Sequence, residues 1–204
     1  MESLVGTYVT DIIKRGVCLM EYLLKEDSLP AELRFGLGWD VARGLLPKLD
    51  VDLDAFAALM QDGKFVDKRD LIHFSRLKHY SDCLKHFGDN NSGYGAGDDE
   101  RILIDLSKVP ETRNMILLGC RVFRGKLRMQ SFKKVREPFV RLTTVDGKEV
   151  LCSTDLSESQ YGKYRGFLFG YLQRIGMVWQ FNLLNKGYLI DDINLIIKQF
   201  EEDI

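Results

Sequence analysis

Short apolar runs, broken at frequent intervals by glycine, aspartate, asparagine or proline, occupy most of the chain. Alternating apolar and polar positions predict strands at Leu33–Asp40, Val51–Met60, Leu71–Phe74, Ile102–Leu106 and Met115–Arg124. Further strands are expected at Thr7–Ile12 and Val17–Leu23 near the start, and at Phe139–Thr144, Glu149–Asp155, Lys163–Arg174 and Met177–Asn185 towards the end. Asp62-Gly63 and Asp146-Gly147 each sit between two such runs, a strong local signal for a tight turn joining antiparallel strands. One segment has a different period: Ile193, Ile196, Ile197 and Phe200 form an apolar stripe at helical spacing within Asp191–Glu202. Asp191 and Asp192 suit the positive end of that helix. A short helix is also compatible with Asn114–Gly125 or with Ser131–Arg136. The pattern as a whole predicts an all-β fold, a β-sandwich carrying a short C-terminal helix.

Two acidic motifs interrupt this pattern. In Asp50-Val51-Asp52-Leu53-Asp54, carboxylates alternate with apolar residues, which on a strand places the aspartates on one face and Val51 and Leu53 on the other. Like charges on one face repel, and a bound cation offsets that repulsion; a strand end fraying into a polar turn is the competing reading. The second motif, GDNNSGYGAGDDE over 88–100, packs carboxylate, amide and hydroxyl oxygens around glycines. Those oxygens are the ligands hard cations prefer, and calcium takes six to eight of them in loose geometry. No nitrogen or sulfur ligand is present, against zinc or copper there. A solvated acidic turn is again the alternative. The motif is not an EF-hand: counting from Asp89, the fifth and sixth positions are Gly93 and Tyr94, where that loop needs an oxygen ligand and then glycine.

These motifs together resemble the tellurium-resistance TerD family. Gly36-Leu37-Gly38-Trp39-Asp40 is similar to the family's GLGWD, and Asp50–Ala55 to its DxDLDA. GDNNSGYGAGDDE resembles its long Gly/Asp loop; Ile104-Asp105-Leu106 through Val109-Pro110 resembles the IDL…VP that follows; Val135-Arg136 and Phe139-Val140-Arg141 resemble its VR…F(I/V)R. The resemblance implies a TerD-like β-sandwich spanning 1–204 as one domain, with a variable segment at 1–15 and the helix within 189–204. It implies Ca2+ bound at sites built from Asp40, Asp50, Asp52, Asp54, Asp89, Asn90, Asp98, Asp99 and Glu100. It implies a link to resistance to tellurite and other stresses, and no established catalysis. Some members are described as cAMP-binding. Ser75-Arg76, where the family often carries an Asn-Asn pair, and Tyr94 and Ala96, at positions often acidic, depart from the pattern and leave the number of ions open.

Composition narrows the field modestly. The net charge of −1 gives no global steering of charged ligands. Cys18, Cys83, Cys120 and Cys152 form no CxxC pair, which suits a reduced, cytoplasmic protein. The N-terminus does not read as a signal peptide and no apolar run is long enough to span a membrane. Other stress-resistance proteins are the expected partners, with a membrane surface as one meeting place and nucleic acid not expected. His79, Cys83 and His86 share one face if their segment is helical, a spacing that admits zinc, although surface or packing roles serve as well. Between Arg121 and Arg141 eight Lys or Arg face the single acid Glu137. That basic stretch reads as solvated faces or as a patch for phosphate, nucleic acid or an anionic membrane. Two other function classes stand beside the calcium reading. One is a metal-dependent enzyme on a phosphorylated or nucleotide substrate, with Arg136 or Arg141 meeting phosphate; the other is a non-catalytic nucleotide-binding module.

Overall fold

Leu33, Phe35, Leu37 and Trp39 alternate with Arg34, Gly36, Gly38 and Asp40, and the segment forms strand β1, Glu32–Asp40. This computed structural model describes residues 29–40, 51–88 and 97–204; the strands expected at Thr7–Ile12 and Val17–Leu23, and the site candidates Asp50, Asp89 and Asn90, lie outside them. The other strands are β2 (Leu53–Met60), β3 (Leu71–Ile72), β4 (Leu84–His86), β5 (Glu100–Asp105), β6 (Met115–Val122), β7 (Arg136–Thr144), β8 (Val150–Asp155), β9 (Gly166–Ile175) and β10 (Val178–Tyr188). They make two antiparallel five-stranded sheets, ordered β4-β5-β1-β7-β8 and β10-β9-β6-β2-β3. The all-β sandwich is as the sequence pattern predicts.

The core follows from strand alternation. From the first sheet, Leu33, Phe35, Leu37, Ile102, Ile104, Val140 and Leu142 point inward; Leu53, Ala55, Ala57, Leu59, Ile116, Leu118 and Cys120 meet them from the second. Every position of β2 is buried because its other face is covered too. There Phe56, Ala58 and Met60 pack against Ile193, Ile196, Ile197 and Phe200 of the C-terminal helix, Ile193–Asp203. The Asp192 side chain caps that helix by accepting the Leu195 N–H.

Three expectations are refined. Of the two candidate short-helix regions, Ser131–Arg136 holds a 3₁₀ turn at Phe132–Lys134, whereas Asn114–Gly125 is mostly strand β6 and a four-residue helix, α1, begins only at its last residue and occupies Gly125–Arg128; the C-terminal helix is α2. The segment carrying His79, Cys83 and His86 is not helical: it turns through 80–83 and enters β4. Three residues are too few to show strand periodicity, which is why β4 escaped the pattern. Finally, β2 begins at Leu53, so Asp52 precedes the strand.

Candidate functional site

Gly36 and Gly38 lie on the outer face of the first sheet and leave it bare. A Cβ on Gly36 would come within 2.4 Å of the Asp98 carboxylate, and one on Gly38 within 2.6 Å of the Gly97 carbonyl. The chain from Gly97 to Asp99 is therefore laid directly on β1. Asp99 N–H donates to the Leu37 carbonyl at 2.9 Å, and Trp39 N–H donates to Asp99 Oδ2 at 2.8 Å. Asp98 is clamped on the same face: Arg141 Nε donates to Oδ1 at 2.6 Å and Arg34 Nη2 lies 3.3 Å from Oδ2. Asp40 is half exposed, with Arg136 at 3.7 Å. Burial, then the like charges of Asp40 and Asp98, push the Asp99 carboxyl above the ordinary range, against the lowering effect of the Trp39 N–H.

The other candidates are arranged differently. Asp54 sits opposite Arg121 in the β2–β6 register, and Arg121 Nε donates to its Oδ2 at 2.8 Å. The pair lies on the face of the second sheet that bears α2, and Arg121 Nη1 also donates to the Asp191 carbonyl. Glu100 points between the sheets, where its Oε2 accepts the Ala55 N–H at 2.6 Å. His86 Nδ1 accepts the Gly88 N–H, and its Nε2 lies 3.5 Å from the same Glu100 oxygen.

Burial dominates at Glu100 and pushes its carboxyl up to about 7. As pH rises from the ordinary value of 4.5 to about 7, the unfolded chain gives up this proton before the folded one. Stability therefore falls through that window and levels above it. Glu100→Gln keeps an acceptor for Ala55 and is expected to flatten this slope, measured by urea unfolding across pH with a chelator present. An unchanged slope would assign it to another group.

A calcium cage needs several oxygens around one point. Among the described residues no three His, Cys, Asp or Glu side chains converge in that way. Asp54 and Asp98 point from opposite outer faces of the sandwich, and each already meets a guanidinium. The described residues alone thus do not make the cage that the resemblance implies.

The sequence as a whole has relatives among known proteins. The TerD domain model matches residues 21–200. The chain belongs to the TerD family. It is 37% identical to tellurium resistance protein TerZ of Serratia marcescens, over 84% of this chain and 90% of that one. It is 32% identical to stress response protein SCP2 of Bacillus subtilis (strain 168), over 77% and 83% of the two chains. A crystal structure of a homologue of telluride resistance protein (TerD) from Streptomyces coelicolor A3(2) shares the fold, with a TM-score of 0.70 at 14% identity over 83% of this chain and 97% of that one.

In this member of the family the remaining constellations resolve into packing. His79 Nε2 meets Asp70 Oδ1 at 3.0 Å, and Arg113 Nε donates to Asp70 Oδ2 at 2.7 Å, all deep in the protein. Nothing in the sequence singled out Asp70 or Arg113; their meeting depends on the β2–β3 and β2–β6 pairings. Cys83 Sγ is 3.4 Å from His79 Nδ1, but burial pushes the thiol up to about 11, far from a nucleophile's range. Arg76 turns away to donate to the Lys68 carbonyl. Arg121 and Arg141 of the basic stretch are taken up by Asp54 and Asp98. An open depression of about 520 Å³ beside Arg141 is also lined by Glu137 and Asp155, whose charges oppose phosphate. No helix among the described residues is long and apolar enough to cross a membrane.

Proposed function

We propose that the protein is a non-catalytic calcium-binding component of a tellurite- and stress-resistance system, the cation held at the end of the sandwich where β1 ends and β5 begins. The observation that carries this is the state of Asp99: partly buried, beside Asp40 and Asp98, its carboxyl raised by burial and by those two charges. A divalent cation relieves such a cluster. In sequence, Asp40 directly precedes the stretch containing Asp50, and Asp99 follows the one containing Asp89 and Asn90. Asp40, Asp52 and Asp99, with Asp50, Asp89 and Asn90, are the proposed ligands. Asp54 and Asp98, neutralised by arginines, act as scaffold, and Glu100 braces the two sheets through Ala55. The names of the relatives support the tellurite and stress setting.

Thermal melting in chelator, magnesium and calcium tests this. Calcium alone is expected to raise the melting temperature, by the equivalent of about 2.7 kcal/mol at a hundredfold excess over Kd. Coincident curves in calcium and chelator would overturn the proposal.

A further inference from the structure

The tip that follows β6 does not belong to the site just described. Arg124 and Met129 both adopt left-handed backbone, at φ 53° and 52°, and bracket α1. The tip is nevertheless held firmly. Gln130 N–H donates to the Gly125 carbonyl at 2.8 Å and Arg128 N–H to the Arg124 carbonyl at 2.9 Å. Lys126 N–H donates to Asp191 Oδ2 at 3.0 Å, and Arg165 Nε to the Gln130 carbonyl at 3.0 Å. This ordered turn holds two apolar side chains in solvent, Leu127 at 79% and Met129 at 78% exposure.

Cations flank them in the sequence, with Lys126 and Arg128 as immediate neighbours. Arg121, Arg124 and Arg128 each place a guanidinium 5.1–5.7 Å from the centre of the Phe123 ring. From Arg121 to Arg136 the chain carries seven Lys or Arg and no Asp or Glu. Asp54 offsets Arg121 and Asp191 touches the Lys126 backbone; no ion pair is seen for Arg124, Lys126 or Arg128 among the described residues.

We propose that this tip docks the protein on an anionic phospholipid bilayer, with Leu127 and Met129 entering the interface and Arg124, Lys126 and Arg128 meeting lipid phosphates. Charge complementarity selects an acidic surface. Exposed aliphatic side chains within the basic tip select lipid over nucleic acid, because a base needs an open aromatic face. Phe123, the aromatic ring at the base of the tip, is instead occupied by the three guanidiniums and by the edge of Phe74 at 5.7 Å. The hydrogen-bonded turn also presents these groups without a backbone ordering cost on binding.

The test is co-sedimentation of the full chain with phosphatidylcholine vesicles, with and without phosphatidylserine, in chelator so that the result is independent of calcium. Binding is expected to be at least about tenfold tighter to the phosphatidylserine vesicles and to weaken with salt. The exposed-site double variants Leu127→Ser/Met129→Ser and Arg124→Gln/Arg128→Gln, with circular dichroism confirming the fold, are each expected to lose about tenfold. Three outcomes would overturn the proposal: no preference for the acidic vesicles, unchanged binding by the serine variant, or tighter binding to a single-stranded RNA than to the vesicles.

Discussion

Asp70→Ala is expected to be the most damaging single change outside the apolar core, lowering unfolding free energy by about 3–5 kcal/mol. Asp70 is fully buried at the end of the 3₁₀ turn Lys68–Asp70, where β3 begins. Its two oxygens are divided between His79 Nε2 and Arg113 Nε. Arg113 is 9% exposed and His79 1%, so neither regains water when the carboxylate goes. An unpaired buried guanidinium costs far more than the pair contributes. Asp70→Asn retains the shape and one acceptor and is expected to lose less. Urea unfolding of the two variants measures this; a loss below about 1 kcal/mol for Asp70→Ala, the range of exposed ion pairs, would mean the network carries no stability.

Gly36→Ala and Gly38→Ala are expected to act on the site itself. The new methyl of Gly36→Ala runs into Asp98, which Arg34 and Arg141 hold in place. That of Gly38→Ala meets the Gly97 backbone oxygen at 2.6 Å and the Phe139 ring. Backbone cannot swing aside as a long side chain can, so Gly38→Ala should lift the Gly97–Asp99 segment from β1 and break the pairing of Asp99 with Leu37 and Trp39. Overpacking of this kind costs about 1–3 kcal/mol. Hydrogen exchange at the Trp39 and Asp99 amides measures it directly. Faster exchange at both amides is expected, with the β2–β6 amides unchanged; protection retained in both variants would show that the glycines have no part in seating the segment.

The sequence disclosed the fold wherever both strands of a pair were long enough to alternate. β1, β2, β6, β7 and α2 lie within a few residues of where periodicity put them. It was less informative at β3 and β4, where two and three residues carry no period and pairing to β2 and β5 defines the strand. At the site, the acidic motifs and GLGWD were legible, but the partners of the carboxylates were not. Arg34 is invisible as a partner until β1 and β7 lie side by side, and Asp54 meets Arg121 only because the β2–β6 register sets them opposite. The same register explains why a basic stretch read as one patch divides into arginines that anchor carboxylates and a tip, Arg124–Met129, whose cationic side chains form no ion pair among the described residues.

In the proposed arrangement Asp99 and its neighbours hold calcium while Asp54 and Asp98 serve as scaffold. Calorimetric titration of metal-stripped protein with calcium, for the native chain and Asp99→Asn, tests it most directly. Saturable binding of the native chain is expected near micromolar Kd, about −8 kcal/mol, with a loss of at least about tenfold in Asp99→Asn. Absence of calcium heat in the native chain, or an affinity untouched by Asp99→Asn, would contradict it.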